Sequence, residues 1–546
     1  MKKSRYNLHK ILITMILIYL GFLFIGKNTF LYKYEETQSF NKIDIKATNI
    51  YSENFNDQHL LKINTDKIEI NAIRIGFSNR TTQNSTISIY YKDVDDNLIA
   101  ITSRPYCFLQ KEIVIPIQYN KYSNLYIDIP NTTKINEVGI GLKYFSPVQK
   151  SISWILEQFA LLILSAILSF LLTRSINSNI NSKTITHKEE RNSNIELLRI
   201  ICMLLLVAHH CVVHGGALNM AEGRNLLFSY LFLPVGKICF IIYIAISMWF
   251  FVDQQFSAVR FIKVWFEVFF YSFFFTIIAF MLGANISILD IFSSLLPIIG
   301  NSHGFASSYL LFYLLLPFIK KGTDHLTKNQ SRYLLFLIFV AQILSQIMGQ
   351  ITNYYQYVFS ELTLFIFCYV LMLNLKKWPL AFLKDKRITS GTAFIIWLIL
   401  LQANYSVLWG RNNKIIDFLL GNSGTESSLL MIIAGFSVFF FVKELPKYVN
   451  PKINKLATYS FAVLLIHDHN FLRNIVWSYF VETDTWYYSS YFILILTGIV
   501  FIIYFVCSII ELLRKNILEV YILKQKPVLK FVKIIDNYLI FEEHKK

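Results

Sequence analysis

From residue 195 to residue 511 the chain repeats one unit, an apolar run of roughly 15 to 25 residues followed by a polar loop. The runs fall at 195–213, 232–252, 261–283, 305–319, 333–350, 355–375, 391–408, 426–442, 456–473 and 487–511. A run of that length matches a hydrocarbon layer of about 30 Å crossed at 1.5 Å per residue. The repetition predicts a polytopic α-helical membrane protein whose bundle has ten helices. The hydrophobic fraction of 54%, against 16% charged residues, agrees with this and argues against a soluble fold.

The loops carry the orientation. With Arg199 at the cytoplasmic end of its run, one set of loops holds Arg260 and Lys263, Lys320 to Arg332, Lys376 to Arg387, Lys443 to Lys455, and Arg514 with Lys515. The opposite loops hold few cations, with Arg224, Arg411 and Lys414 as exceptions. The alternation follows the positive-inside rule. It also accounts for the net charge of +17 without nucleic acid as a partner. The segment 286–299 is apolar but broken by Asp290, Ser293, Ser294 and Pro297, which predicts a re-entrant or interfacial piece.

Residues 1–29 form a basic start and an apolar run, 11–25, with no small-x-small cleavage site after it. This is the pattern of an uncleaved signal anchor with its N-terminus inside, with a cleaved signal as the runner-up. Residues 30–150 change to period-two patterning: Lys67–Ile70, Thr86–Tyr91, Glu112–Ile115, Leu125–Ile129 and Val138–Leu142, separated by Asn, Asp, Ser and Pro. That predicts an extracytoplasmic all-β, sandwich-like domain whose aromatics fill strands. A second membrane helix, 151–174, returns the chain to a cytoplasmic linker, 175–194, so two helices anchor the β-domain. Residues 516–546 read as a basic amphipathic cytoplasmic tail on the inner membrane surface. Of the six cysteines only Cys107 lies outside a run, so no disulfide framework is expected.

The chemistry concentrates in Arg191 to Gly216. Glu196 and Arg199 stand at one end of an apolar helix and His209, His210 and His214 at the other. Ionisable groups at membrane depth are costly and mark function. Arg199 and His210 are eleven residues apart, close to three full turns, so they share a face about 16 Å apart. His214 continues that face, and His209 is turned about 100° from it. By loop parity His303, His467, Asp468 and His469 join the same outer half. Imidazole suits proton abstraction from a hydroxyl near neutral pH, with Asp468 or a glutamate to orient it. Metal ligation ranks below this use, since only His210 and His214 show a helical ligand spacing, and no metal is assigned. Arg260 and Lys263 give the inner mouth a cationic character suited to a phosphorylated donor. Glu267 and Glu361 are further acids at membrane depth whose partners the sequence leaves open.

Asn194-Ile195-Glu196-Leu197-Leu198-Arg199, with a histidine eleven residues after the arginine, resembles the opening helix of the acyltransferase-3 family of membrane O-acyltransferases. Arg260 with Lys263, Tyr309 to Pro317, and Tyr459-Ser460-Phe461 running to Leu465-Ile466-His467 are similar to later family segments. Ser247-Met248 and Ala306-Ser307-Ser308 depart from the family pattern. The resemblance covers about residues 191–515 and implies a ten-helix acyltransferase domain at 195–515. It implies transfer of an acyl group, acetyl first of all, from cytoplasmic acetyl-CoA or another acyl-CoA to a hydroxyl of a surface or lipid-linked glycan in a bacterial cell membrane, with no tightly bound cofactor. His210 would act as base or transient acyl carrier, with Arg199 helping to hold the donor. His209, His214, His303, Ser460, His467, Asp468 and Glu361 are supporting candidates, and Arg260 and Lys263 donor-binding candidates. The competing reading is a transporter or flippase with the histidines as a proton relay; it predicts paired broken helices in repeated halves, and the sequence holds one interrupted segment and no internal repeat.

Overall fold

The computed structural model describes eleven strands between Lys33 and Ser146, and residues 191–539 apart from 221–222, 282–285, 300–302, most of 345–360, most of 409–427, 474 and most of 482–490. The expected anchors at 11–25 and 152–172 and the linker up to residue 190 lie outside the described residues, and residues 193–194 of the expected linker already belong to the first helix.

The strands are β1 Lys33–Glu36, β2 Asn41–Ile43, β3 Ser52–Phe55, β4 Gln58–Asn64, β5 Glu69–Phe77, β6 Ser85–Lys92, β7 Leu98–Tyr106, β8 Glu112–Lys121, β9 Asn124–Asp128, β10 Ile135–Gly141 and β11 Lys143–Ser146. They form a β1–β11 ribbon and two antiparallel sheets, ordered β2-β10-β5-β8 and β3-β4-β9-β6-β7. The period-two pattern has its expected cause. Ile73 and Ile75, Ile87 and Ile89, and Ile113, Ile115 and Ile117 are buried at alternate positions. Tyr126 is buried as well, as a strand aromatic filling the core. Pro105 and Pro116 fall on β7 and β8, each at a sheet edge, where a missing N–H breaks no inner ladder.

The helices are α1 Ser193–His214, α2 Gly223–Asp253, α3 Ala258–Met281, α4 Ile288–Leu295, α5 Gly304–Asp324, α6 Lys328–Phe339, α7 Glu361–Lys377, α8 Lys386–Leu408, α9 Leu429–Lys443, α10 Pro451–Ala457, α11 Ser460–His467, α12 Phe492–Arg514 and α13 Lys526–Leu539. Among the described residues five helical stretches are long and apolar enough to cross a membrane: Ser193–His214, Arg224–Asp253, Ala258–Met281, Lys386–Ser406 and Phe492–Ile522. The chain is therefore a multi-pass membrane protein. Of the other runs, 305–319 falls on the 21-residue but less apolar α5, and 426–442 on the 15-residue α9. The run at 456–473 is not one helix, since α10 and α11 are separated by a turn at Thr458–Tyr459 and α11 ends at His467. The segment 286–299 gives only the eight-residue α4, closed by a Ser287–Asp290 capping box and too short to span.

α1 lies at the centre. It packs against α2, α12, α10 and α11, and α2 in turn meets α9 and α7. Its start is tied down by buried polar contacts. The Asn192 side chain caps it, the Ser193 hydroxyl donates to Asn454 Oδ1 at 2.6 Å, and Ser193 N–H donates to the Tyr448 carbonyl at 2.7 Å. Its end is fixed by Gly215-Gly216. Gly216 has φ 84°, a conformation open to glycine, and the Tyr487 hydroxyl donates to the Gly215 carbonyl at 2.5 Å. Both ends being held, the height of every side chain along α1 is set. α13 packs beside α3, with Val532 buried and the Asp536 carboxylate accepting from the Ala258 N–H at 3.1 Å, at the first turn of α3. Leu529, Phe531, Ile534 and Tyr538 stay exposed on it, among lysines.

Candidate active site

The histidine cluster is built from the last two turns of α1 and from the end of α11 with the turn after it. His467 Nδ1 lies 2.5 Å from the Val463 carbonyl oxygen. A carbonyl oxygen only accepts, so His467 carries its proton on Nδ1 and leaves a lone pair on Nε2. That lone pair faces His210 Nδ1 at 2.9 Å, so His210 donates from Nδ1 and keeps its own lone pair on Nε2. One backbone carbonyl thus sets the tautomer of both rings, and His210 Nε2 is the basic atom left over. The Asp468 carboxylate lies 3.7 Å from His210 Nδ1 and 3.8 Å from His214 Nε2. Arg473 Nε stands 2.9 Å from the same oxygen, as an ion pair without hydrogen-bond alignment. Asp468 can stabilise positive charge on His210, while Arg473 keeps the resting cluster near neutrality.

The rotation per residue along α1 separates the two adjacent histidines. His209 turns to α2, where its Nδ1 donates to the Phe232 carbonyl at 3.0 Å. Gly236 makes room for it, as a Cβ there would lie 2.3 Å from the His209 ring. Gly236→Ala is expected to push His209 off its partner and lower stability by about 1–3 kcal/mol, read as a fall in melting temperature of the detergent-purified protein; an unchanged melting temperature would show that α1 and α2 can part at no cost.

A second histidine pair lies nearby. His303, preceding α5, has its ring 5.5 Å from that of His469. His469 Nε2 donates to the Ser272 carbonyl at 3.3 Å, and the buried His303 Nε2 has no hydrogen-bond partner. Glu361, at the start of α7, places its carboxylate over Gly304, 3.1 Å from where a Cβ would be. It therefore faces the first turn of α5 from an exposed position.

At the other end of α1, Arg199 Nη1 donates to Glu196 Oε2 at 3.0 Å, and its guanidinium lies 5.7 Å from the Phe250 ring centre. The Tyr243 hydroxyl donates to the Arg199 carbonyl at 2.7 Å. Glu196 is buried and Arg199 half-buried, so the acid holds the base in place. Met203, Leu206 and Val207 are buried between the two polar ends.

The family model for an acyltransferase domain of the acyltransferase-3 type matches residues 192–511. The chain belongs to that family. It is an O-acyltransferase, and the match takes in α1 through almost all of α12 while leaving out the strands. No curated protein matches the chain.

The remaining candidates of this acyltransferase divide by location. Ser460, at the opposite end of α11 from His467, shares a hydrogen bond with the Tyr504 hydroxyl at 2.9 Å. Arg260 is exposed and donates to Gln254 Oε1 at 2.5 Å, in the loop between α2 and α3. Lys263 is exposed too, 3.6 Å from Glu519. Glu267 gains a partner that the sequence left open, the buried Arg514 at 3.8 Å. Arg514 is held mainly by Glu511, through Nε at 2.7 Å and Nη2 at 2.9 Å, and reaches Glu519 at 3.0 Å. The Tyr271 hydroxyl donates to Glu511 at 2.6 Å, and Lys515 lies 3.1 Å from it. This network joins α3 to α12.

Arg473, Tyr243 and Glu511 were not singled out from the sequence, and Arg514 only as a loop cation. Arg473 had a signal. It ends the run at 456–473 on the side poor in cations, so it belongs with Arg224, Arg411 and Lys414 among the exceptions to the charge alternation.

Proposed function

We propose that this acyltransferase moves an acyl group, acetyl above all, from acyl-CoA at the Arg199 end of the bundle to a hydroxyl of a cell-surface or lipid-linked glycan at the His210 end. The observation that carries the reading is the fixed tautomer of the His467–His210 pair, which leaves one basic nitrogen. His210 Nε2 takes the proton of the acceptor hydroxyl as its oxygen attacks the thioester carbonyl. The C–S bond then breaks, and the thiolate receives a proton as CoA leaves. Asp468, next to His210, stabilises the transient imidazolium. The Arg199 end, with Arg260 close to the same mouth, suits the phosphates of the donor. The Arg199 end then faces the cytoplasm, the strands lie outside with the glycan, both termini are inside, and lipid surrounds the bundle.

Mass spectrometry of the surface glycan with and without the gene tests the reaction. Loss of an acyl group from otherwise intact repeats is expected; loss of the whole polymer overturns the reading. Arg199→Lys keeps a charge but loses the planar fork, so the KM for acyl-CoA is expected to rise about tenfold with kcat changed much less. An unchanged KM would remove Arg199 from donor binding.

A further inference from the structure

We propose that His210, His214 and Asp468, with His467 beside them, form a reversible binding site for one divalent transition metal of the zinc type, whose occupation takes His210 out of proton transfer. The second half rests on the reading of His210 as the base; the binding half does not.

Three donors converge, with His467 beside one of them. His214 follows His210 by one turn of α1, and their ring centres are 5.1 Å apart. One ligand atom from each of His210, His214 and Asp468 lies within 4.8 Å of the other two. The closest approaches are 3.7 Å from His210 Nδ1 and 3.8 Å from His214 Nε2, both to Asp468 Oδ1, and His467 Nε2 lies 2.9 Å from His210 Nδ1. In a tetrahedral site with bonds of about 2.0–2.1 Å, neighbouring ligand atoms are ~3.3 Å apart. Each of these three distances is therefore within about half an ångström of that value. Two or three imidazoles with one carboxylate suit a borderline metal such as Zn²⁺, rather than Ca²⁺ or Mg²⁺. His467 is already oriented as a ligand, because its Nδ1 donates to the Val463 carbonyl and its Nε2 carries no proton.

Two features make the site reversible rather than permanently filled. Arg473 lies 2.9 Å from the Asp468 oxygen the metal would use, so a dication has to displace a guanidinium. That side chain is partly exposed. His210 Nδ1 also carries the proton it donates to His467. On metal binding this proton passes to Nε2, and the ring stays neutral. The metal then occupies the nitrogen that carried the proton, and Nε2 no longer offers a lone pair to a hydroxyl. The same imidazole therefore serves as base or as ligand, but not as both.

Co²⁺ is a usable probe because its tetrahedral complexes absorb visible light. The full chain is purified in detergent, stripped with chelator and titrated. Wild type is expected to show one equivalent of tetrahedral Co²⁺, displaced by Zn²⁺, and Zn²⁺ is expected to inhibit acyl transfer. His214→Ala should lose the Co²⁺ band, and the transfer it retains should resist Zn²⁺. Arg473→Gln should bind Co²⁺ about tenfold more tightly, since the competing charge is gone. No band in wild type, an equal band in His214→Ala, or weaker binding in Arg473→Gln would overturn the site. Co²⁺ binding by a protein that never transfers an acyl group would leave the site standing and remove only the base reading. Full transfer with no Co²⁺ band would do the reverse.

Discussion

His210→Ala is expected to lower the turnover of acyl transfer by roughly 10²–10⁴ while leaving the melting temperature and the KM for acyl-CoA near those of wild type. The expectation comes from the one basic nitrogen that the His467–His210 pair leaves free. His467→Phe tests the same pair from behind. It keeps a ring in the site but removes the acceptor that holds His210 Nδ1–H, so the His210 tautomer is no longer set; a loss of about 10² in kcat is expected, with the pH–rate profile moved as well. His209→Asn gives the contrast. His209 is turned to the Phe232 carbonyl on α2, and an amide there can still donate, so its effect should stay well under about tenfold. Equal losses at His209 and His210 would mean that the helix ends matter only for packing.

The largest stability effect is expected from Arg514→Leu. Arg514 and Glu511 are almost completely buried and joined by two hydrogen bonds, and Tyr271, Lys515 and Glu267 surround them. Removing the guanidinium leaves two glutamates buried between α3 and α12 without their main counter-charge. A loss of about 3–5 kcal/mol is expected, seen in thermal unfolding followed by tryptophan fluorescence. The double substitution Glu511→Gln with Arg514→Met removes both signs of charge and should recover much of that loss. If the single substitution proved no worse than the double one, the network would be contributing shape rather than charge.

The faces of α1 were legible because helical rotation is local. Eleven residues bring Arg199 and His210 into line, and one residue turns His209 away, whatever the rest of the chain does. The strands of the N-terminal region were legible where isoleucines alternate, as in β5, β6 and β8, and less so in β7, where Thr102, Ser103 and Arg104 end the apolar alternation. The partners of the site were not legible. His210 meets His467 across 257 residues, and Glu267 meets Arg514 across two helices, α3 and α12. Which buried polar groups meet is decided by how the helices pack, and a hydrophobic pattern records only that they do. The run at 456–473 showed the same limit. Its apolar content hides the turn at Thr458–Tyr459 that starts α11 and so sets the height of His467.

The Val463 carbonyl also acts as a terminus. A proton accepted by His210 cannot travel on through His467, because the far nitrogen of His467 is already spoken for by an oxygen that will not be protonated. The pair is a cul-de-sac, so whatever enters at His210 Nε2 must leave from the same atom. Under the proposed mechanism this would tie the two substrates together in time, since the nitrogen that deprotonates the acceptor would also be the one that delivers a proton to the departing thiolate. Donor and acceptor would have to be bound at once, which predicts intersecting rather than parallel lines in a two-substrate kinetic plot.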